Sequence, residues 1–114
     1  MKQDRVYLVH ILEMIANINE LTASGREAFL AAKHDRAAVL HYLQTMAEST
    51  QRLSDEIKAA HPEVDWKAIS GFRNRLVHGY LSVDMDIVWS VIQEYLPGLR
   101  SAAEAMLAEL DRQG

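Results

Sequence analysis

Four side chains that could act together on a phosphodiester lie within eight residues of one another: Arg73, Asn74, His78 and Tyr80. Attack of a ribose 2′-hydroxyl on the adjacent phosphate needs a base for its proton, an acid for the leaving oxygen and a cation for the developing charge. Imidazole titrates near neutral pH and can take part in proton transfer. Guanidinium offers a planar fork of donors that matches phosphate oxygens. The pattern therefore predicts metal-independent cleavage of RNA, and it leaves open which group is base and which is acid.

The same segment is the one clear basic patch in an acidic chain. Between Trp66 and Tyr80 the cations include Lys67 and Arg75 and there is no carboxylate, whereas the whole chain has 12 Lys and Arg against 16 Asp and Glu. A formal net charge of −4 gives no overall positive field to attract nucleic acid. Lys67 and Arg75 are therefore the candidate contacts for RNA phosphates. The alternative is that cations near a helix end only offset the helix dipole.

Other chemistries lack the residues that they need. The chain has no cysteine, which excludes a thiol nucleophile, a disulfide scaffold and cysteine-ligated metals. No glutamate precedes a histidine by three residues, as the paired metal sites of helical bundles require, and there is no Gly-rich phosphate loop. Asp84 and Asp86 are better explained as a helix cap and a dipole-compensating acid. We predict no metal and no cofactor, and we interpret four histidines as surface or boundary residues: His10, His34, His41 and His61.

Length and hydropathy predict a single domain, 1–114, in the cytoplasm. The 114 residues, 49% of them apolar, suffice for one core. No apolar run approaches the roughly 20 residues of a membrane span, and the segment from Met1 to Asp4 has no signal-peptide pattern. We therefore expect no membrane partner.

Apolar residues recur with the helical period along the first half of the chain. A first helix is predicted over 4–23. A capping box formed by Ser24 and Glu27 begins a short helix that ends near residue 32. Asp35 is the predicted cap of a long helix over 35–60, which ends before Pro62. The inner face of that long helix is expected to be Val39, Leu40, Leu43, Met46, Leu53 and Ile57.

Two further helices are predicted in the second half. Asp65 caps the first of them, and Gly79 closes it in a left-handed conformation, which places His78 in the last turn. Asp84 caps the final helix, which should kink at Pro97 and run to about residue 110. Its buried face is expected to be Ile87, Val88, Val91, Ile92 and Tyr95. Short links between long helices imply an all-α fold, an antiparallel up-and-down helical bundle with a kinked C-terminal helix.

Helical geometry separates the two groups that should meet at the phosphate. Five residues turn an ideal helix by about 500°, so Arg73 and His78 point about 140° apart. Two solutions remain open. The helix unwinds at His78, or a homodimer completes the site across a two-fold axis, where each subunit supplies the same groups.

The block ISGFRNRLVHGY resembles the signature of the HepT-like ribonuclease toxins of the HEPN superfamily, Arg-polar-x(3)-His-x-Tyr. Arg73, Asn74, His78 and Tyr80 carry the resemblance. It extends upstream through HPEVDWKAI, where the family usually has proline at the position of Asp65, and downstream through VDMDIVW to the Leu-Pro pair. The opening helix, YLVHILEMIANI, is also similar, so the resemblance covers nearly the whole chain as one HEPN-like domain.

The resemblance implies a metal-independent endoribonuclease that acts as a homodimer and as the toxin of a toxin–antitoxin pair. Its antitoxin would be a nucleotidyltransferase of the MntA type. Arg73 and His78 would be catalytic, Asn74 their polar companion, and Tyr80 the hydroxyl that receives AMP. The alternative from another class is a HEPN-type module that binds RNA, a nucleotide or a partner protein without cleavage. A plain helical scaffold would leave the order of the motif unexplained.

Overall fold

The computed structural model describes residues 2–79 and 82–113, and within these ranges it contains helices and no strand. The helices are α1 (Lys2–Thr22), α2 (Arg26–Ala31), α3 (Lys33–Arg52), α4 (Asp55–Ala59), α5 (Trp66–His78), α6 (Met85–Glu94) and α7 (Leu96–Gln113). Helix α1 packs against α3 and α7, α3 also packs against α5, and α6 packs against α7. The predicted all-α bundle with a kinked C-terminal helix is confirmed.

A single apolar core joins these helices. Its centre consists of side chains that are at most 1% exposed: Leu8, Ile11, Ile15, Ile18, Phe29, Val39, Leu43, Ala47, Leu76, Val88, Ala103 and Met106. The four from α1 recur every three or four residues, which places them on one face of the helix. Trp66, Phe72 and Trp89 lie partly buried against this core, and the ring of Trp89 stacks on Phe29 with 5.8 Å between centroids. Because α1 and α3 share this core, the polar flanks of both helices are held at fixed positions.

The long helix predicted over 35–60 is in fact two helices, since the chain is extended at Leu53 and Ser54. The carboxylate of Asp4, which is 4% exposed, accepts hydrogen bonds from the backbone N–H and the hydroxyl of Ser54, each at 2.8 Å. The Ser54 Oγ also accepts from the N–H of Ile57 and so caps α4. A contact between residues fifty positions apart therefore stabilises the break after α3, and the local signal at the break is the Ser54 cap, without a proline or glycine. The predicted inner face is otherwise confirmed, with Ile57 half-buried.

Two of the predicted caps are wrong. Gly25, not Ser24, precedes the first turn of α2, and no side chain caps that helix. Gly25 has φ 97°, a conformation that favours glycine, so the serine lies one position too early to form a capping box. Helix α3 begins after Ala32, which places Asp35 in its first turn. There the aspartate offsets the helix dipole instead of capping the helix.

The end of α5 and the course of α6 also differ from the predictions. Gly79 has φ −132°, so it is not left-handed, although its N–H does close the helix on the carbonyl of Arg75. Ile87 and Tyr95 are 40% and 62% exposed, whereas the rest of the predicted apolar face is buried or half-buried. The kink lies at Tyr95, before Pro97, because proline is tolerated in the first turn of a helix and α7 can begin ahead of it.

His61 is buried, against the prediction that it lies at the surface or boundary. It is 8% exposed, its Nδ1 lies 3.0 Å from a carboxylate oxygen of Glu63, and its Nε2 lies 3.6 Å from one of Glu109 on α7. The hydrogen bond to Glu63 raises the pKa of His61 above its ordinary value of 6.5, with smaller support from Glu109. The same contact lowers the pKa of Glu63. The link between α4 and α5 is thereby tied to α7.

We predict that the contacts of His61 with Glu63 and Glu109 weaken as the pH rises. A histidine whose pKa is raised in the folded protein contributes stability that is complete below 6.5 and is lost as the pH passes through the raised value. The free energy of unfolding in urea should therefore fall from about pH 6 to about pH 8 more steeply for the wild type than for Glu63→Gln, which removes the main cause of the shift. NMR titration of the imidazole should show a lower pKa for His61 in Glu63→Gln. An unchanged pKa in that variant would contradict the assignment.

Candidate functional site

Helix α5 carries the candidate motif and is fixed at its start and along one face. The Asp65 carboxylate accepts a hydrogen bond from the N–H of Ala68 at 3.0 Å, which confirms the predicted cap. The indole N–H of Trp66 donates to the carbonyl of Lys58 at 3.1 Å, and Leu76 is fully buried. Since α5 packs against α3, a side chain on the flank of α5 that faces α3 is held beside it.

Arg73 is that side chain, and its guanidinium is bound on two sides. Its Nη2 donates to a carboxylate oxygen of Glu48 on α3 at 3.1 Å, and its Nη1 donates to the amide oxygen of Asn74 at 3.3 Å. The Arg73 side chain is 27% exposed. Its Nε is buried and has no hydrogen-bond partner among the described residues. Buried N–H donors without a hydrogen-bond partner are rare in folded proteins. Here the donor belongs to Arg73, the residue that the sequence analysis expects to bind the phosphate.

A polar cleft of about 490 Å³ opens beside Arg73. It lies between α1, α3 and α5, the three helices that the core holds together. Its lining is polar or amphipathic throughout: Tyr7 and His10 from α1; Thr45, Glu48, Ser49, Gln51 and Arg52 from α3; and Arg73 from α5. The lining contains two guanidinium groups, of Arg52 and Arg73, and one carboxylate, of Glu48, so its net charge is positive. Its volume falls in the range of small-molecule sites.

His78 does not share this cleft within one chain. Helix α5 continues to His78 and is closed behind it by the hydrogen bond from Gly79 N–H to the carbonyl of Arg75, at 2.8 Å. The helix therefore does not unwind at His78 to bring the imidazole round to Arg73. The imidazole is exposed, and it is absent from the cleft lining that the structure describes. The regular helix gives no support to the first of the two solutions, unwinding at His78, and the two-fold arrangement stays a prediction.

The other predicted site residues take separate positions. Asn74 is exposed and joins Arg73 through its amide oxygen. Lys67 is exposed in the first turn of α5, and exposed Arg75 lines a different, mainly apolar groove between α5, α6 and α7. Tyr80 lies outside the described residues.

Sequence reasoning missed Glu48 and His10. The segment Trp66–Tyr80 contains no acidic residue that could pair with Arg73. The structure supplies one from α3, Glu48, twenty-five positions earlier in the chain. A weak signal for the cleft does exist. Thr45, Glu48, Ser49 and Arg52 recur at helical spacing and form a polar stripe along one flank of a helix whose neighbouring face is apolar.

Metal and membrane sites have no counterpart in the part of the chain that the structure covers. Within 2–79 and 82–113, no group of three or more histidine or acidic side chains is arranged to hold a metal ion. Asp84 caps α6 by accepting from the N–H of Asp86, and the Asp86 carboxylate pairs with Arg26. None of the described helices is long and apolar enough to cross a membrane.

Comparison with known proteins gives a consistent result. Residues 11–106 match the family described as Ribonuclease HepT-like. The chain is 32% identical over 101 residues, 88% of its length and 92% of the relative's, to "Probable ribonuclease HepT" of Thermococcus cleftensis. It is also 32% identical over 108 residues, 94% of its length and 96% of the relative's, to a "Putative RNase" of Caldanaerobacter subterraneus subsp. tengcongensis.

A third relative shows the same similarity within a longer protein. It comes from Methanocaldococcus jannaschii and is named "Gamma-glutamylcyclotransferase and putative RNase". The chain is 30% identical to it over 112 residues, which are 97% of this chain and 50% of that protein. The chain therefore spans about half the length of this relative. No solved structure matches the chain.

Proposed function

Because the chain belongs to the ribonuclease HepT-like family, we propose that it is a metal-independent endoribonuclease and the toxin of a toxin–antitoxin pair in the cytoplasm. The observation that carries the proposal is the environment of the Arg73 guanidinium. Its guanidinium is oriented by Glu48 at the edge of a polar cleft and keeps one buried donor without a partner. A cation held in this way suits the charge that develops on a phosphate during cleavage.

The reaction that these groups support is transfer of the phosphate to the neighbouring 2′-oxygen. The 2′-hydroxyl loses its proton to a base, its oxygen bonds to phosphorus, and the bond from phosphorus to the 5′-oxygen breaks. The 5′-oxygen gains a proton from an acid, which leaves a 2′,3′-cyclic phosphate and a 5′-hydroxyl. Arg73 stabilises the added negative charge, and His78 performs proton transfer, with base and acid roles open. Asn74 supports the guanidinium through its amide.

The proposed active species is a homodimer. Within one chain, Arg73 faces the cleft and His78 faces solvent in the last turn of α5. An isologous contact along α5 brings each group of one chain toward the other group of the second chain. The exposed cations Lys67 and Arg75 on the same helix would then flank the shared site and contact neighbouring RNA phosphates.

The direct test is cleavage of RNA in excess EDTA by the chain expressed alone. We expect the wild type to cleave and His78→Ala to lose about 10²-fold or more in rate, since positioned proton transfer contributes on this scale. Products that end in a 2′,3′-cyclic phosphate support the reaction written above. Equal cleavage by wild type and variant would assign the activity to another site or to a contaminant. Binding of RNA without cleavage would favour the alternative, a non-catalytic HEPN-type binding module.

We further propose that an MntA-like nucleotidyltransferase is the antitoxin and that it attaches AMP to the Tyr80 hydroxyl. The phenol loses its proton, its oxygen bonds to the α-phosphorus of ATP, and pyrophosphate leaves. An adenylyl group two residues from His78 would place bulk and negative charge where the substrate phosphate binds. Incubation with such an enzyme and ATP should raise the intact mass by whole multiples of an AMP residue and abolish cleavage. Tyr80→Phe should show neither change. A mass gain that persists in Tyr80→Phe would place the modification elsewhere.

A further inference from the structure

The cleft beside Arg73 contains groups that the proposed reaction does not use. The reaction assigns roles to Arg73 and His78, whereas another part of the cleft wall is formed by Tyr7 and His10 of α1 together with Arg52 and Ser49 of α3. None of these side chains caps a helix, and of the four only the partly buried Tyr7 packs against the apolar core. Their common feature is that they line a space next to the guanidinium that is expected to hold a phosphate.

His10 is held in a defined orientation in this wall. Its Nδ1 lies 2.7 Å from the Oγ of Ser49, and Ser49 is itself only 7% exposed. The contact fixes one nitrogen of the ring against α3. No described residue forms a hydrogen bond with Nε2 of the same ring, and the ring is half-buried at the cleft.

The contact with Ser49 leaves Nε2 available to a ligand, as a donor in two of the three states that the contact allows. When the serine hydroxyl donates to Nδ1, the hydrogen of the neutral ring resides on Nε2. When the ring is protonated, both nitrogens donate. In both of these states Nε2–H can meet a phosphate oxygen or a carbonyl of a base without rotation of the ring. In the other neutral tautomer Nδ1–H donates to Ser49, and Nε2 accepts from an N–H of a base.

We propose that this cleft is the subsite for the nucleotide adjoining the cleaved phosphate, and that His10 contacts this nucleotide through Nε2. The inference rests on the proposed function, which it extends from the phosphate to its neighbour on the RNA. A volume of about 490 Å³ is suitable for a single nucleotide. Arg52 and Arg73 supply a positive balance for the sugar–phosphate backbone, and the Tyr7 ring offers a face on which a base can stack.

The test uses a short mixed-sequence oligonucleotide that is 2′-O-methylated at every position. It has no free 2′-hydroxyl, so its binding can be measured whether or not the protein cleaves RNA. In the wild type, its addition should shift the imidazole NMR signals of His10 and leave those of His41, an exposed histidine of α3 outside the cleft, unchanged. His10→Ala should weaken binding by about tenfold, His41→Ala should bind like the wild type, and His10→Gln, which keeps an N–H donor, should recover part of the loss.

Each result bears on a separate claim. Binding that is equal in wild type and His10→Ala, or an oligonucleotide that shifts no His10 signal, overturns the subsite, even if RNA is cleaved. Failure of the wild type to bind overturns it as well. If the wild type binds through His10 but cleaves no unmodified RNA, the nucleotide contact of His10 stands as RNA binding, and the proposed ribonuclease reaction falls. Should His10→Ala fail to fold, the NMR shifts of the wild type and the affinity of His10→Gln decide the question.

Discussion

Replacing Arg73 by alanine is expected to lower the rate of RNA cleavage by about 10³-fold or more while the protein stays folded. An arginine that stabilises the transition state of phosphoryl transfer contributes on this scale, since its donors meet charge that develops only during the reaction. The fold should tolerate the change. Arg73 contributes no side chain to the apolar core, and Glu48, whose side chain is 35% exposed, can be hydrated when its partner is removed. Cleavage rates and thermal unfolding of the same preparations measure both effects.

Three further variants separate charge, orientation and general surface effects. Arg73→Lys keeps the charge but loses the planar fork, so it should remain well below wild-type activity. Glu48→Gln removes the carboxylate that orients the guanidinium and should lower the rate by about tenfold. Arg100→Ala, on the exposed side of α7 where it pairs with Glu104, should cleave like the wild type. An Arg73→Ala protein that cleaves within about threefold of the wild type would contradict the role given to Arg73.

Local sequence rules predicted most helices well, and they failed where a distant residue decides the local structure. Asp65 and Asp84 were predicted as caps and do cap α5 and α6, because a cap satisfies amides within a few residues of itself. The break at Leu53 and Ser54 combines a local cap, Ser54, with a distant contact to the buried carboxylate of Asp4. Helical periodicity cannot reveal such a contact, since the apolar pattern continues through the break.

The residues of the candidate site form two similar groups: those close together in the sequence and those that only the packing of the helices brings near Arg73. Arg73, Asn74 and His78 could be identified from the sequence because they lie close together in one helix. Glu48 and His10 come from other helices, and their relation to Arg73 exists only after α1, α3 and α5 have packed on a common core. The sequence also predicted the angle between Arg73 and His78, and the regular helix through His78 retains it. Within the single chain described by the structure, Arg73 lies at the cleft and His78 is exposed away from it.

If the site is shared across a two-fold axis, two inactive variants should restore each other. Arg73→Ala and His78→Ala are each expected to be nearly inactive as homodimers. In a mixed dimer, one of the two sites takes Arg73 from the His78→Ala chain and His78 from the Arg73→Ala chain, so it is intact. Random exchange of subunits makes about half of the dimers mixed, and each of these has one intact site of two. The mixture should therefore reach about one quarter of the wild-type rate.

The recovery is large against the background of either variant alone, and its control is simple. Mixing Arg73→Ala with the double variant Arg73→Ala/His78→Ala supplies no arginine from either chain and should restore nothing. Subunit exchange is brought about by mild denaturation and refolding and is checked by mass spectrometry of differently tagged chains. Mixed dimers that form but cleave no faster than the separate variants would show that each chain must hold both groups itself. Since α5 directs Arg73 into the cleft and His78 to solvent in one chain, that result would require α5 to rearrange when RNA binds.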